Sequence, residues 1–166
     1  MHHADHYPAI LAFLRDVGLR VHEAALPEDT FLPGIRLVDG GLVVDPARLA
    51  WPGDLLHEAG HLAVLPPEVR AIAHDDLVDE TTVPHAGEPE AMAWAWAAAL
   101  AIGLPPDVLL HEGGYHARSR DILQMYAFGI YPGLRGLCEA GMAEAHGFTP
   151  VTGEAVYPAL RRWLRE

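Results

Sequence analysis

The segment from Glu88 to Ile102 constrains the fold more than any other stretch. It is rich in alanine, carries Trp94 and Trp96 on opposite sides of a helical wheel, and is apolar nearly all round. Alanine has the highest helix propensity, and Gly103 followed by Pro105-Pro106 supplies a stop, so the spacing predicts a helix over 88–102. A helix with no polar stripe cannot lie on a surface and has to be surrounded. With 166 residues, about half of them apolar, the chain has material for one sizeable core and the length of a single domain, 1–166.

The elements available to surround that helix can be read from periodicity and punctuation. Pro8 to Val17 places Ile10, Leu11, Phe13 and Leu14 at helical spacing and ends near Gly18, and Leu19 to Leu26 reads as a strand. Ile35-Arg36-Leu37-Val38 and Leu42-Val43-Val44 flank Asp39-Gly40-Gly41, the chemistry of a tight hairpin turn with positive φ. Leu55 to Leu65 is a second apolar helix, with Asp54 as its N-cap and Pro66-Pro67 as its stop. Glu68 to Pro84, with the acidic group Asp75, Asp76, Asp79 and Glu80, reads as a solvated connection. After a loop at His111 to His116, helices are expected over Ser119–Phe128, Leu134–Cys138 and Tyr157–Leu164. Helices outnumber strands and the strands come early, so the class is α+β, mostly helical with a small sheet ahead of the 55–65 helix.

Charge narrows the partners. Eleven basic against 23 acidic side chains give a formal charge of −12, which repels nucleic acid and anionic membrane. Met1-His2-His3-Ala4-Asp5-His6 has no basic segment followed by a long apolar run, so neither a signal peptide nor a membrane span is expected, and a cytoplasmic location follows by default. Cys138 has no second cysteine to pair with and reads as a small buried hydrophobe.

The 55–65 helix carries the chemistry. In Leu56-His57-Glu58-Ala59-Gly60-His61 the two histidines are four apart and share a face, so both imidazoles can reach one zinc ion at about 2.0 to 2.1 Å. Glu58 projects beside them, where a carboxylate can hold a zinc-activated water and take its proton. From the composition, with 11 His and 12 Glu, an HExxH run arises by chance roughly 0.05 times in such a chain. A catalytic site needs a third protein ligand and an open position. A third histidine six residues after His61 is excluded, because Pro67 stands there. The remaining source is a carboxylate at the start of the 88–102 helix. Glu88 and Glu90 lie about 200° apart around it and cannot both face the metal. Glu88 shares its face with Ala91, Met92 and Ala95, a strip of small residues that allows close approach, and is preferred; Glu90 stays open.

His57-Glu58-Ala59-Gly60-His61 followed by Glu88-Pro89-Glu90-Ala91-Met92-Ala93-Trp94-Ala95 resembles the zincin-like metallopeptidases of the ImmA/IrrE kind and, more loosely, the gluzincins. The likeness covers roughly residues 35 to 102. It implies a zincin-like fold, a peptide or protein substrate, and Glu88 as third zinc ligand, since Glu88, Ala91, Trp94 and Ala95 match that family's pattern. For a donor to the oxyanion of a tetrahedral intermediate, the nearest cluster in sequence is His111, Tyr115 and His116, in a loop that Gly113 and Gly114 let bend. Two functions follow as expectations. One is a zinc-dependent hydrolase, most simply a metallopeptidase. The other is a catalytically silent zinc-binding module of the same fold acting in protein interaction or regulation, with its fourth metal position closed by His111 or His85.

Overall fold

The computed structural model describes residues 6–79, 81–114, 118–153 and 155–166. The chain opens with helix α1 (Tyr7–Asp16) and a short strand β1 (Val21–Glu23), then forms the hairpin β2 (Ile35–Val38) and β3 (Gly41–Val44). Helices α2 (Pro52–Val64), α3 (Pro67–Arg70), α4 (Asp75–Asp79), α5 (Glu88–Ile102), α6 (Pro106–Leu109), α7 (Ser119–Ala127) and α8 (Leu134–Glu139) follow. The class is α+β.

The hairpin turn has the predicted chemistry. Asp39 (φ 46°) and Gly40 (φ 71°) are both left-handed, as a two-residue turn matched to strand twist requires, and they set the register Leu37 opposite Leu42 and Val38 opposite Gly41. β1 adds to the other side of β3 in parallel, giving the order β1-β3-β2. The strand expected over Leu19 to Leu26 shrinks to Val21–Glu23, because the Leu26 N–H turns to the Asp45 carboxylate at 2.9 Å instead of continuing the ladder.

Helix α5 runs through the centre, with Ala91 to Ala99 all buried. Trp94 is sealed completely: its indole Nε1 donates to the Trp163 carbonyl at 2.7 Å, and its rings pack against Phe13 and Trp163. The major partner of α5 is α2, and the two approach backbone to backbone. A Cβ at Gly60 would run into the carbonyl of Ala91, so glycine there sets the interhelical distance.

Three expectations are corrected. Asp54 is not the N-cap of α2: the helix starts at Pro52, whose fixed φ suits the first position, and extended Trp51 precedes it, while the Asp54 carboxylate sits 2.7 Å from His111 Nε2. The connection after α2 is only partly solvated, since Asp75 accepts from Leu37 N at 2.7 Å and Arg36 Nε at 3.2 Å along the edge of β2. The final segment, expected as a helix over 157–164, is irregular. Its backbone bonds go to other parts of the chain: Tyr157 N to Glu144 O at 2.8 Å, Arg161 N to Met142 O at 2.8 Å and Arg165 N to Ala63 O at 2.9 Å. It thereby covers α5, where the Tyr157 hydroxyl donates to the Ala93 carbonyl at 2.8 Å. No helix among the described residues is long and apolar enough to cross a membrane.

Replacing Gly60 with alanine adds about 1 kcal/mol of helix propensity but forces α2 and α5 apart. The net effect expected in urea unfolding is a loss of ~1–3 kcal/mol; a variant as stable as the parent would show that the helices do not meet at this point.

Candidate metal centre

The face of α2 that meets the start of α5 carries His57 and His61. Their rings stand nearly perpendicular, at 87°, and bring the two Nε2 atoms to 3.2 Å. Glu88, the first residue of α5, reaches over both, with Oε1 3.2 Å from His57 Nε2 and Oε2 3.1 Å from His61 Nε2. The histidine side chains are 11% and 10% exposed and that of Glu88 60%, so the nitrogens form a buried floor and the carboxylate an open wall.

These donors suit a zinc ion in kind and in spacing. Two imidazoles and a carboxylate are donors that zinc accepts, and bonds of 2.0–2.1 Å to a tetrahedral ion imply ligand-to-ligand edges of about 3.3 Å. Each ring nitrogen that faces a carboxylate oxygen at 3.1–3.2 Å presents it either an N–H hydrogen or a shared metal ion. In the protein alone the proton takes this place. Burial acts against the His57 imidazolium, but the hydrogen bond and charge of Glu88, with Glu58 and Asp54 adding, outweigh it and raise the pKa above the ordinary histidine value. Burial likewise opposes the Glu88 carboxylate, and the two histidines override it, holding the group far below the usual carboxylate range.

The helix contact described above explains why Glu88 is the residue in reach. With Gly60 against Ala91, the first turn of α5 lies beside the histidines. Glu90 turns the other way, where its Oε2 accepts the Gly87 N–H at 3.1 Å at the start of the helix and its side chain lies against Gly136 of α8. The alternative left open in the sequence is thus divided by the structure: Glu88 joins the cluster and Glu90 caps the helix.

Glu58 is half-buried, one residue round the helix from His57. His111 is not in the cluster. It is 3% exposed, stacked on Trp51 with ring centroids 4.4 Å apart, and its Nε2 lies 2.7 Å from Asp54 Oδ1. That placement ties the loop before α7 to the first turn of α2 and does not present the ring to an oxyanion. Ser119 completes no nucleophilic triad with this pair, because its Oγ donates to the carbonyls of His111 at 2.5 Å and Gly114 at 3.2 Å. His85 is held 2.8 Å from Glu139. Tyr115 and His116 lie outside the described residues.

The sequence reading missed a cavity of about 340 Å³ that opens beside Glu88, between α5 and α7. Met92, Ile122, Met125 and Tyr126 supply its apolar surface and Arg118 stands at its wall. Ile122, Met125 and Tyr126 at i, i+3 and i+4 were the available signal, but that spacing also describes a core face, and Tyr126 does reach the core at 2% exposure. Burial first, then the Glu88 charge, push the Tyr126 phenol above its ordinary pKa, so it stays protonated.

The His57–Glu88 pair contributes to the pH dependence of the metal-free protein. The depressed pKa of Glu88 gives stability that is present above the unfolded carboxylate value, about 4.3, and is lost as pH falls through the folded value. The raised pKa of His57 gives stability that is full below about 6.5 and is lost as pH rises through the folded value. Relative to Glu88→Gln, the Tm of chelated protein is therefore expected to fall as pH climbs from about 6 to about 9. Excess zinc should reverse that slope, because metal requires unprotonated imidazoles; the same downward slope with and without zinc would exclude metal from the cluster.

No family model, no curated protein and no solved structure matches the chain.

Proposed function

We propose that the chain is a zinc-dependent hydrolase of zincin-like type, a metallopeptidase, with His57, His61 and Glu88 as ligands and Glu58 as general base. The observation that carries this reading is the spacing of three donor groups at 3.1–3.2 Å, close to the edge length of a tetrahedral zinc site, two of them on a helix that also bears Glu58. When bound, zinc supplies Lewis acidity and brings the pKa of water to about 7.

The chain's own residues then have distinct tasks. His57 and His61 fix position from the buried floor. Glu88 balances charge from the open side. Glu58, half-buried beside His57, takes a proton from the attacking water and returns it to the leaving nitrogen. The helix pair, the hairpin ahead of α2 and the carboxylate at the start of α5 agree with what the zincin resemblance implies. The silent-module alternative needs a side chain to close the fourth position. The two histidines considered for that, His111 and His85, are held by Asp54 and Glu139, and among the described residues no fourth His, Cys, Asp or Glu joins the group, which favours the hydrolase.

Elemental analysis of untagged protein is expected to give one zinc per chain in the wild type and in Glu90→Ala, and none in His61→Ala or Glu88→Ala. Glu58→Gln should keep the metal and lose about 10²–10⁴-fold in kcat on a peptide substrate. Loss of zinc from Glu90→Ala but not Glu88→Ala would reassign the third ligand, and undiminished turnover in Glu58→Gln would remove the general base.

A further inference from the structure

The cavity between α5 and α7 shares a wall with the metal centre, because Glu88 belongs to both. At about 340 Å³ it lies at the small end of the range for ligand sites, roughly 300–1,000 Å³, which suits one large side chain better than an extended ligand. Its surface comes from Met92, Ile122, Met125 and Tyr126; the two methionines adapt their shape to a ring or a branched chain.

The one cation at this cavity stands apart from most others in the molecule. The chain has eleven arginines and no lysine. Among the described residues all of them except Arg118 and Arg120 hold a carboxylate or a backbone carbonyl, as Arg36 holds Asp75, Arg161 holds Glu144 and Arg70 holds the Leu65 carbonyl. In a chain of charge −12, Arg118 at the cavity wall has no acidic partner among the described residues. Arg118 lines this apolar cavity and is exposed, so its guanidinium is free to turn to a ligand that carries a carboxylate next to a large apolar group.

We infer that this cavity binds the C-terminal residue of a peptide, with its apolar side chain between α5 and α7 and its carboxylate on Arg118, making the chain a carboxypeptidase for large apolar residues. The inference rests on the hydrolytic reading of His57, Glu58, His61 and Glu88. The reaction is hydrolysis of the last peptide bond: water gives its oxygen to the carbonyl carbon, the C–N bond breaks, and the nitrogen takes a proton to release a free amino acid. The shared Glu88 puts that bond next to the cluster when the side chain fills the cavity.

The test uses binding to chelated, metal-free protein, so that neither metal nor turnover enters it. Three probes, N-acetylphenylalanine, its C-terminal amide and N-acetylglycine, are titrated by calorimetry or by NMR shifts. N-acetylphenylalanine is expected to bind at least tenfold more tightly than either of the others. Arg118→Ala should erase the preference for acid over amide while leaving amide binding unchanged, and Arg118→Lys should restore part of it. Arg118 is exposed and its replacement does not disturb the core. Equal binding of acid and amide, persistence of the acid preference in Arg118→Ala, or equal binding of N-acetylglycine would each overturn the proposal. Zinc binding with such a result would leave the hydrolase intact and refute only this site. The expected pattern in a protein that never binds zinc would keep the site and refute the hydrolase.

Discussion

The arrangement depends on one contact, the approach of α2 to α5 at Gly60 and Ala91. Any side chain at position 60 would hold the helices apart, and Glu88, one turn before Ala91, would be carried away from the histidines. The same closeness buries the alanine-rich face of α5, so a helix at the centre of the core also delivers the acidic ligand candidate. Core and site are therefore not separable. The packing that stabilises the fold positions the donors.

Around this pair the rest of the chain works as a brace. The C-terminal segment lies over α5 and α2, bonding to Ala63, Met142 and Glu144 through its backbone, and the Asp54–His111 pair ties the first turn of α2 to the loop that leads into α7. Electrostatics inside the cluster is set by geometry more than by net charge. The chain's overall acidity would suggest a carboxylate that is easily protonated, yet two imidazoles within 3.2 Å hold Glu88 well below the usual carboxylate range.

Legibility in the sequence followed the range of the interactions concerned. The α5 span from Glu88 to Ile102 and the hairpin turn at Asp39-Gly40 were readable because propensity, caps and left-handed residues are local. The histidine pair was readable because a helix turns spacing into direction. Glu88 was distinguishable from Glu90 only as a preference, since the close approach that decides it involves Gly60, 28 positions earlier. The segment over 157–164 failed for the same reason in reverse: its helical pattern was outweighed by backbone partners at Glu144, Met142 and Ala63. Asp54 looked like a cap because nothing local announces His111, 57 positions away. The α7 cavity could not be told from an ordinary core face by periodicity alone.

The hairpin that precedes α2 has an outer edge whose donors are already used. In many sheets an outer strand offers free N–H groups to which an extended chain can add itself. Here the Ile35 N–H is taken by the Leu32 carbonyl at 3.2 Å and the Leu37 N–H by the Asp75 carboxylate at 2.7 Å. With those donors occupied, β2 is a poor template for a further strand, whether from a substrate or from another copy of the chain. The same clasp guards this edge of the sheet against edge-to-edge aggregation, a protection achieved here by a hydrogen-bonding carboxylate and a turn.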